Sequence, residues 1–468
     1  MSAVRLLAGQ AQVDVTPRAG VHLAGDIARH RPARLCLDPL CAKALVLERG
    51  GRKVCFLALD ATIVTASYTA RIRESASRAT GLDPEAIMVH ATQSHSAPSI
   101  GRIMLDPDFP PLSAEFEWVT GAEAEYSDWA ADRAVEAIRL ATERLAPAHI
   151  GVGSGIEGRL AFNRRAVTRD GGIAMPPPFW QGGPLGPTHI RYIEGPIDPE
   201  LGVLCVRDSA LNVPAVVANY ACHPVHVFPK PHVSADWPGA LAAGLQQAYG
   251  AECVGLVLNG ACGNLNPWPP FDPDYVEDHI RMGSLLAERV RAVVETLSFS
   301  EDATLDWRME RIPIPLREIP PHELTHAQQV LADRPEPAWI DEERTGVDPE
   351  WMVAASIYSV HLMRQRSPIF EYEVQVLRVG DAAFVGLPGE PFVECGLRIK
   401  LASPTYPTYI VHCTTQYVGY IPIREAFERG GHEVDTRYWA KLVPEAIDLI
   451  VEGASGALHS VFSVAGDP

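Results

Sequence analysis

The sequence predicts an α/β fold, with a mixed or mostly parallel sheet flanked by helices and a smaller β-containing subdomain. Two observations predict it: short runs are apolar throughout, as in strands covered on both faces, and the segments between them show helical periodicity. Strands that alternate with helices are typical of α/β proteins. No repeat, charge block or break in composition divides the 468 residues. We therefore expect one domain over residues 1–468, with the smaller subdomain within about 300–468.

The predicted elements follow one another along the chain. Six runs are interpreted as buried strands, at residues 54–59, 87–91, 215–218, 254–258, 384–387 and 409–411. Apolar residues recur every three or four positions in two segments that we predict to be helices, at 126–145 and 276–297. Shorter helices are expected at about 66–79, 238–249, 350–364, 391–401 and 438–451. Three Pro-rich loops interrupt the pattern, at 106–112 (DPDFPPL), 175–187 (MPPPFWQGGPLGP) and 267–273 (PWPPFDP).

Composition and charge exclude several classes of protein. Lys plus Arg number 40 and Asp plus Glu 58, so the net charge of −18 does not give the positive field that general nucleic-acid or anionic-membrane binders need. No apolar stretch approaches the roughly 18 residues that cross a bilayer, and the N-terminal segment has no sustained apolar run. We therefore expect a cytoplasmic protein that binds neither nucleic acid nor membrane. The nine cysteines form no CxxC pair, which argues against a disulfide framework and a structural Cys-zinc site.

Polar and reactive side chains follow the predicted strands where those strands end. In chain order they are Asp60, the segments 92–98 (TQSHSAP), 219–224 (NYACHP) and 259–264 (NGACGN), then Glu390, His412, Tyr417 and Tyr420. In open α/β sheets, ligands bind beyond the carboxyl ends of parallel strands. We therefore expect these side chains to converge on one cleft.

His95, His223 and Glu390 are the candidate metal ligands within this set. Neutral imidazoles and a carboxylate suit zinc, and a catalytic zinc site keeps one position open for water. Each histidine taken alone also fits a structural residue that is hydrogen-bonded after a strand. His223 and His226 form a short HxxH, but it has neither helix periodicity nor an adjacent Glu. We expect one of these two histidines to face the site.

Other sequence patterns argue against common enzyme classes. Residues 153–158 (GSGIEG) match GxGxxG, but no amphipathic helix follows to bind a pyrophosphate. The sequence contains no GxSxG elbow and no P-loop, which argues against a serine hydrolase of the common type. Cys222 and Cys262 adjoin the candidate site, and we interpret them as small buried residues rather than nucleophiles.

Several segments together resemble the catalytic domain of the neutral or alkaline (non-lysosomal) ceramidases and their bacterial relatives. In chain order they are 13–17 (VDVTP), 92–98 (TQSHSAP), 162–165 (FNRR), 219–224 (NYACHP), 234–239 (SADWPG), 259–267 (NGACGNLNP), 388–390 (PGE) and 417–422 (YVGYIP). Each segment is short, and the resemblance depends on all of them following the same order along the chain as in the family.

The resemblance implies a zinc amidohydrolase, so Zn²⁺ or another divalent metal is the expected cofactor. The family's zinc is held by two histidines, a glutamate and a tyrosine. The matching positions in this sequence are His223, Glu390 and Tyr420. Arg164 falls where the family places an arginine beside the substrate, and His95 matches a histidine next to the metal.

Two positions depart from the family's pattern. Gln93 stands where the family has its first zinc-binding histidine, and a carboxamide is a poor zinc ligand. Three outcomes stay open: His95 takes over coordination, the site binds metal weakly, or metal binding is lost. Gly260 stands where the ceramidases carry a serine, and the sequence ends soon after Tyr420, without the family's C-terminal sandwich domain. Ceramide is therefore not the expected substrate.

We expect a metal-dependent hydrolase that cleaves an amide or ester bond of a small organic substrate with metal-activated water. His95 would transfer the proton, or serve as a metal ligand, while Arg164 and Tyr420 would stabilise the oxyanion. Four further residues are expected at the substrate or around the metal ligands: Gln93, Asp236, Asn259 and Asn264.

Two alternatives stay open. The first is a sugar-processing hydrolase or lyase on the same scaffold, which a pocket containing Trp180, Trp237 and Trp268 would favour. The second is a non-catalytic binding protein, which the departure at Gln93 keeps open. The Pro-rich loops should line the cleft and restrict it to a small or mid-sized polar substrate. The expected partners are that small molecule and further copies of the chain in a homo-oligomer.

Overall fold

Two sheets form the centre of the protein in a computed structural model, which describes residues 5–26, 28–175, 189–272 and 274–463. The strands of the larger sheet are β1 (Leu7–Asp14), β2 (Cys41–Arg49), β3 (Arg52–Leu59), β4 (Ile87–Ala91), β5 (Ala146–Ile156), β6 (Glu200–Asp208), β7 (Ala215–Tyr220) and β8 (Val254–Asn259). The strands of the smaller sheet are β9 (Leu305–Pro315), β10 (Ile369–Val379), β11 (Ala382–Gly386) and β12 (Thr408–Val411).

The larger sheet is mixed, as predicted, with the strand order β8-β7-β6-β5-β1-β2-β3-β4. The outermost pairs, β7 with β8 and β3 with β4, are parallel. The five pairings between them are antiparallel. Parallel pairing is thus confined to the two edges, and the sheet is not mostly parallel. Continuous apolar runs indicate burial on both faces, which here comes from a second sheet and from helices rather than from parallel crossovers.

The two sheets pack face to face and share one core. Phe56 of β3 and Leu204 of β6 belong to the same apolar cluster as Leu377, Phe384 and Tyr409 of the smaller sheet. The rings of Phe56 and Phe384 meet edge to face, with centroids 4.7 Å apart. The predicted β-containing part of the 300–468 region is therefore a layer that lies directly on the larger sheet.

Helices cover the outer faces of both sheets. In the described ranges they are α1 (Ala66–Thr80), α2 (Ala124–Glu143), α3 (Asp236–Tyr249), α4 (His279–Val294), α5 (Pro321–Asp333), α6 (Pro349–Arg366), α7 (Val393–Ala402), α8 (Ala426–Arg429) and α9 (Ala446–Phe462). The helices α1 to α4 pack on the larger sheet, and α7 and α9 pack on the smaller one. The layers therefore follow the order helix, sheet, sheet, helix.

The predicted strands are confirmed, and one predicted helix is misplaced. The last helix was expected at 438–451 but begins only at Ala446. Pro444 explains the difference, because proline disfavours a helical conformation in the residue before it. All nine cysteines are free thiols, as predicted. Among the residues that the structure describes, none of the helices has the length and apolarity that crossing a membrane requires.

Candidate active site

A cavity of about 530 Å³ gathers most of the predicted site residues. Gln93, His95, Arg164, Glu390 and Tyr420 line it together. Aromatic side chains complete much of the wall, namely Phe228, Trp268, Tyr417 and Trp439. The cavity thus combines ionisable groups with apolar surface, which is the usual composition of a small-molecule site.

His223 lies against Glu390, with its ring nitrogens in two different environments. Its Nδ1 donates to the carbonyl oxygens of Cys262, at 2.7 Å, and Leu265, at 3.0 Å. Nε2 lies 3.2 Å from Oε2 of Glu390, so it donates to the carboxylate when the ring carries a second proton and presents a lone pair to it when the ring is neutral. In the neutral form, the two facing acceptors need a cation beside them. Both side chains are almost fully buried, so water does not screen the pair.

Two very short strands bring Glu390 next to Tyr420. Glu390–Pro391 pairs in parallel with Tyr420–Ile421, and Glu390 is the register partner of Tyr420. The approach depends on Gly389, which has a φ of +69°, because a Cβ there would lie 2.5 Å from the carbonyl oxygen of Gly419. The phenol of Tyr417 donates to Oε1 of Glu390 at 3.3 Å. One carboxylate oxygen therefore faces Tyr417 while the other faces His223.

The carboxyl group of Glu390 is ionised at neutral pH. Burial alone would raise its pKa, but His223, followed by His95 and His412, outweighs burial and lowers this pKa to about 2. The residues around the cavity therefore hold a negative charge next to the free nitrogen of His223. An anion and a neutral imidazole are the donor types that bind a divalent metal.

Gln93 and His95 follow β4, and both line the cavity. Gln93 has a φ of +68°, and its Oε1 accepts a weak hydrogen bond from the thiol of Cys262 at 3.9 Å. The ring centroid of His95 lies 5.5 Å from that of His223. Burial, and then the proximity of His223, lowers the pKa of His95 to about 3. His95 is therefore neutral at pH 7.

Arg164 is held by its neighbours rather than free in the cavity. Its Nε and Nη2 donate to Oε1 of Glu433 at 3.1 and 3.0 Å, and its Nη1 donates to Asn266 at 3.4 Å. The guanidinium also lies over the ring of Tyr420, 5.4 Å from the centroid. Oε2 of Glu433 accepts from Arg165 at 2.8 Å, so one fully buried carboxylate binds two arginines. Arg164 can therefore stabilise charge near Tyr420, while few of its donors are free for a substrate.

The remaining predicted residues support the site from outside the cavity. Asn259 accepts from the backbone N–H of Cys222 at 3.2 Å and donates to the carbonyl of Thr92 at 3.1 Å, which ties together the segments that carry His223 and Gln93. Asn264 accepts from the N–H of Val393 at 2.9 Å.

Asp236 does not line the cavity, because its carboxylate is occupied elsewhere. It accepts from Nδ1 of His226 at 3.0 Å and from the N–H of Val227 at 3.0 Å. Nε2 of His226 in turn lies 3.0 Å from the phenol of Tyr275. Within the HxxH, His223 thus turns to Glu390, whereas His226 turns away from the cavity.

The predicted aromatic pocket is only partly correct. Trp268 lines the cavity, but Trp237 is fully buried and packs edge to face on Tyr220, with centroids 6.0 Å apart. Trp237 begins helix α3, whose apolar face is turned to the sheet, so it belongs to the core. Trp180 lies outside the described residues. Trp439, which the sequence patterns missed, also lines the cavity.

The Pro-rich loops differ in their relation to the cavity. The loop at 267–273 contributes Trp268. The loop at 106–112 does not line the cavity, because Phe109 packs on Trp351 of α6, with ring centroids 6.0 Å apart. In the loop at 175–187, Met175 lines the cavity, but the rest of the loop lies outside the described residues.

The described side chains do not form a complete zinc site. Among the described residues, no three His, Cys, Asp or Glu side chains are close enough together to hold a metal ion. His223 and Glu390 supply two donors whose lone pairs face each other at 3.2 Å, and Tyr420 and Gln93 supply only oxygen donors nearby. This set fits an ion that accepts oxygen ligands beside one imidazole.

Comparisons with known proteins bear on the fold. No family model matches the chain, and no curated protein does. The solved structure of neutral ceramidase from Pseudomonas aeruginosa matches with a TM-score of 0.70 and 16% identity, over 100% of this chain and 77% of that one. A structure described as ceramidase complexed with C2 matches with a TM-score of 0.71 and 16% identity, over 99% of this chain and 77% of the other. The chain therefore has the fold of the neutral ceramidases, as its sequence segments predict.

Proposed function

We propose that this chain is a metal-dependent hydrolase that cleaves an amide or ester bond of a small organic substrate. The observation that supports this most strongly is the contact of 3.2 Å between Nε2 of the fully buried His223 and Oε2 of Glu390, which lines the cavity. Fold alone does not fix function, so the proposal depends on the site. The resemblance to the ceramidases, an amidohydrolase family, favours amides over esters as the first substrates to test.

In this proposal His223 and Glu390 hold the ion, with Tyr420 as a further oxygen donor, and zinc is the first metal to test. When bound, the ion would polarise the scissile carbonyl and lower the pKa of a water molecule. The chain prepares both donors: the carbonyls of Cys262 and Leu265 fix the free nitrogen of His223, and Tyr417 orients the carboxylate of Glu390.

His95 is the group proposed to move the proton. Its imidazole lines the cavity and is neutral, so a ring nitrogen can accept a proton from the attacking water and return it to the leaving group. The phenol of Tyr420, beside the positive charge of Arg164, is the donor proposed to stabilise the oxyanion.

The size of the cavity leads to the first prediction. About 530 Å³ accommodates a small or mid-sized molecule, not a two-chain lipid. We expect 4-nitroacetanilide and 4-nitrophenyl acetate to be hydrolysed, and long-chain ceramide in detergent micelles to be cleaved at least about 10²-fold less efficiently, measured as kcat/KM. Ceramide cleavage as efficient as that of the small amides would contradict the proposed substrate class.

The second prediction separates two roles of His95. If His95 transfers a proton, His95→Ala keeps the metal and loses about 10²–10⁴ in rate, the usual contribution of such a group. If His95 is a ligand, the same variant loses metal and activity together. We expect the first result, because Gln93 is nearer to the strand and both residues reach the cavity.

Gln93→His is the complementary variant, and it should tighten zinc binding, since imidazole is a better zinc ligand than a carboxamide. Metal content after dialysis, together with turnover, is measured for both variants. Near wild-type turnover in His95→Ala would contradict both roles and favour a non-catalytic binding protein.

Trp268 and Trp439 in the wall keep a sugar-processing hydrolase or lyase as the second candidate function, because sugars bind against aromatic rings. A panel of 4-nitrophenyl glycosides separates the two. Turnover of a glycoside without turnover of any amide or ester would favour the second candidate.

A further inference from the structure

Lys441 is a buried lysine close to the candidate active site that the proposed reaction does not use. Its side chain is fully buried, and its Nζ donates to the carbonyl oxygen of Tyr438 at 2.5 Å. The ammonium lies 4.4 Å from the ring centroid of Tyr438 and 5.7 Å from that of Tyr417. Within the described ranges it forms no ion pair, since Asp106, the one acid that influences it, is bound by Arg366.

Other buried lysines of this protein are paired with carboxylates. Lys400 lies 2.6 Å from both Asp198 and Glu200, and Lys43 lies 2.7 Å from Asp60. Burial without such a partner lowers the pKa of Lys441 to about 7. An apolar side chain of similar length would avoid this electrostatic cost. A buried lysine at position 441 without an acid partner therefore calls for a functional explanation.

Tyr417 connects Lys441 to the proposed reaction. Its phenol donates to Oε1 of Glu390 at 3.3 Å, on the side of the candidate cavity. Its ring also lines a second cavity of about 470 Å³, so Tyr417 forms part of the wall between two spaces. A ring in such a wall lacks packing atoms on part of its surface and needs another interaction to fix its orientation. The ammonium of Lys441 supplies a cation–π contact of this kind.

We propose that Lys441 is a positioning residue, whose ammonium holds the ring of Tyr417 so that the phenol stays on Oε1 of Glu390 and Oε2 stays directed at His223. The effect on catalysis rests on the proposed function, because it passes through the carboxylate of Glu390. The effect on the ring of Tyr417 does not depend on that function.

Four variants test the proposal: Lys441→Met, Tyr417→Phe, the double variant, and Tyr438→Phe as a matched control. Lys441→Met removes the charge and keeps the length of the side chain. Tyr438→Phe keeps the other ring that faces Lys441 and removes a phenol that does not bind Glu390. The measurements are kcat and KM on 4-nitrophenyl acetate, the dissociation constant for Zn²⁺ by competition with a chromogenic chelator, and the midpoint of thermal unfolding.

We expect Lys441→Met and Tyr417→Phe each to weaken Zn²⁺ binding and lower kcat by about 10-fold, the lower range for a group that orients a metal ligand, with KM nearly unchanged. The double variant should be no worse than the poorer single variant, because both changes act through one hydrogen bond. The unfolding midpoint of Lys441→Met should equal or exceed that of the wild type, since an unpaired buried charge has been removed. Independent, multiplicative losses in the double variant would overturn the proposal, as would wild-type kcat and Zn²⁺ affinity in Lys441→Met.

A readout on the ring itself separates this proposal from the proposed function. With 3-fluorotyrosine incorporated at position 417, the wild type should show one ¹⁹F resonance, and Lys441→Met should show a broadened or divided one. If the wild type neither binds metal nor hydrolyses any probe, the proposed function is wrong. The ¹⁹F spectrum still tests the role of Lys441 in that case. An identical ¹⁹F spectrum in Lys441→Met would overturn that role whatever the activity of the enzyme.

Discussion

His223→Ala should release the metal and lower turnover of the small amide and ester probes by on the order of 10³-fold. The reason is that His223 supplies the ring nitrogen that lies 3.2 Å from Oε2 of Glu390. Alanine at this position removes this imidazole, which is a far better zinc ligand than the amide and phenol oxygens of Gln93 and Tyr420. Two quantities are measured on the same preparation: the metal content per chain, by elemental analysis, and kcat on 4-nitroacetanilide.

The matched control for this variant is His226→Gln, three residues further along the same segment. Its amide can still donate to Asp236, and the position lies outside the cavity. We expect it to keep its metal and most of its turnover. Full metal occupancy and turnover in His223→Ala would show that the reaction does not use this imidazole.

Glu433→Gln should lower the free energy of unfolding by about 3–5 kcal/mol, the usual result of breaking a buried ion pair by removing one partner. Glu433 is fully buried and accepts from Arg164 through one oxygen and from Arg165 through the other. Arg165 keeps a second carboxylate, that of Glu194, whereas Arg164 loses the one it is bonded to. Turnover should fall as well, because Arg164 then no longer holds its place over the ring of Tyr420.

Unfolding by urea measures this change, with Glu428→Gln as the control. Glu428 is exposed on the short helix α8, five residues before Glu433, and a surface change of this kind alters stability by less than about 0.5 kcal/mol. A Glu433→Gln protein as stable as the control would mean that the two arginines find other partners.

Six of the twelve strands in the two sheets were predictable, because each is a short, continuous apolar run that ends in polar residues. β5 was not predicted, because its glycines interrupt the apolar run. A Cβ at Gly153 would lie 2.6 Å from Leu297, and one at Gly155 would lie 2.8 Å from Val293. These glycines let helix α4 and the residues after it approach the sheet, and that requirement comes from tertiary packing rather than from the local sequence.

The site residues that lie in short motifs were predictable, since Gln93, His95 and Glu390 each come shortly after the end of a buried strand. Residues that complete the site through long-range pairing were not. Glu433 meets Arg164 across 269 positions of the chain, and the charge of Lys441 is balanced by rings rather than by an acid. Neither of these pairings produces a local spacing of residues by which it could be predicted from the sequence.

The sequence also did not predict whether neighbouring strands in the larger sheet run parallel or antiparallel. Burial on both faces makes a strand apolar throughout, whether its neighbours run parallel or antiparallel. Here the second sheet buries one face of β3. The residue on that face, Phe56, is therefore apolar, as it would be in a sheet of parallel strands. The pairing of strands depends on contacts between distant segments, which a single sequence does not display.

Titration of metal-free protein with Zn²⁺, followed by the rate of 4-nitroacetanilide hydrolysis, tests the central claim most directly. Among the described residues, the proposed site has one imidazole–carboxylate pair, whose carboxylate lines the cavity, so the rate should rise linearly and break at about one equivalent of metal per chain. A chelator should return the rate to the level of the metal-free protein. Full turnover in protein that contains less than roughly a tenth of an equivalent of any divalent metal would contradict the proposed mechanism.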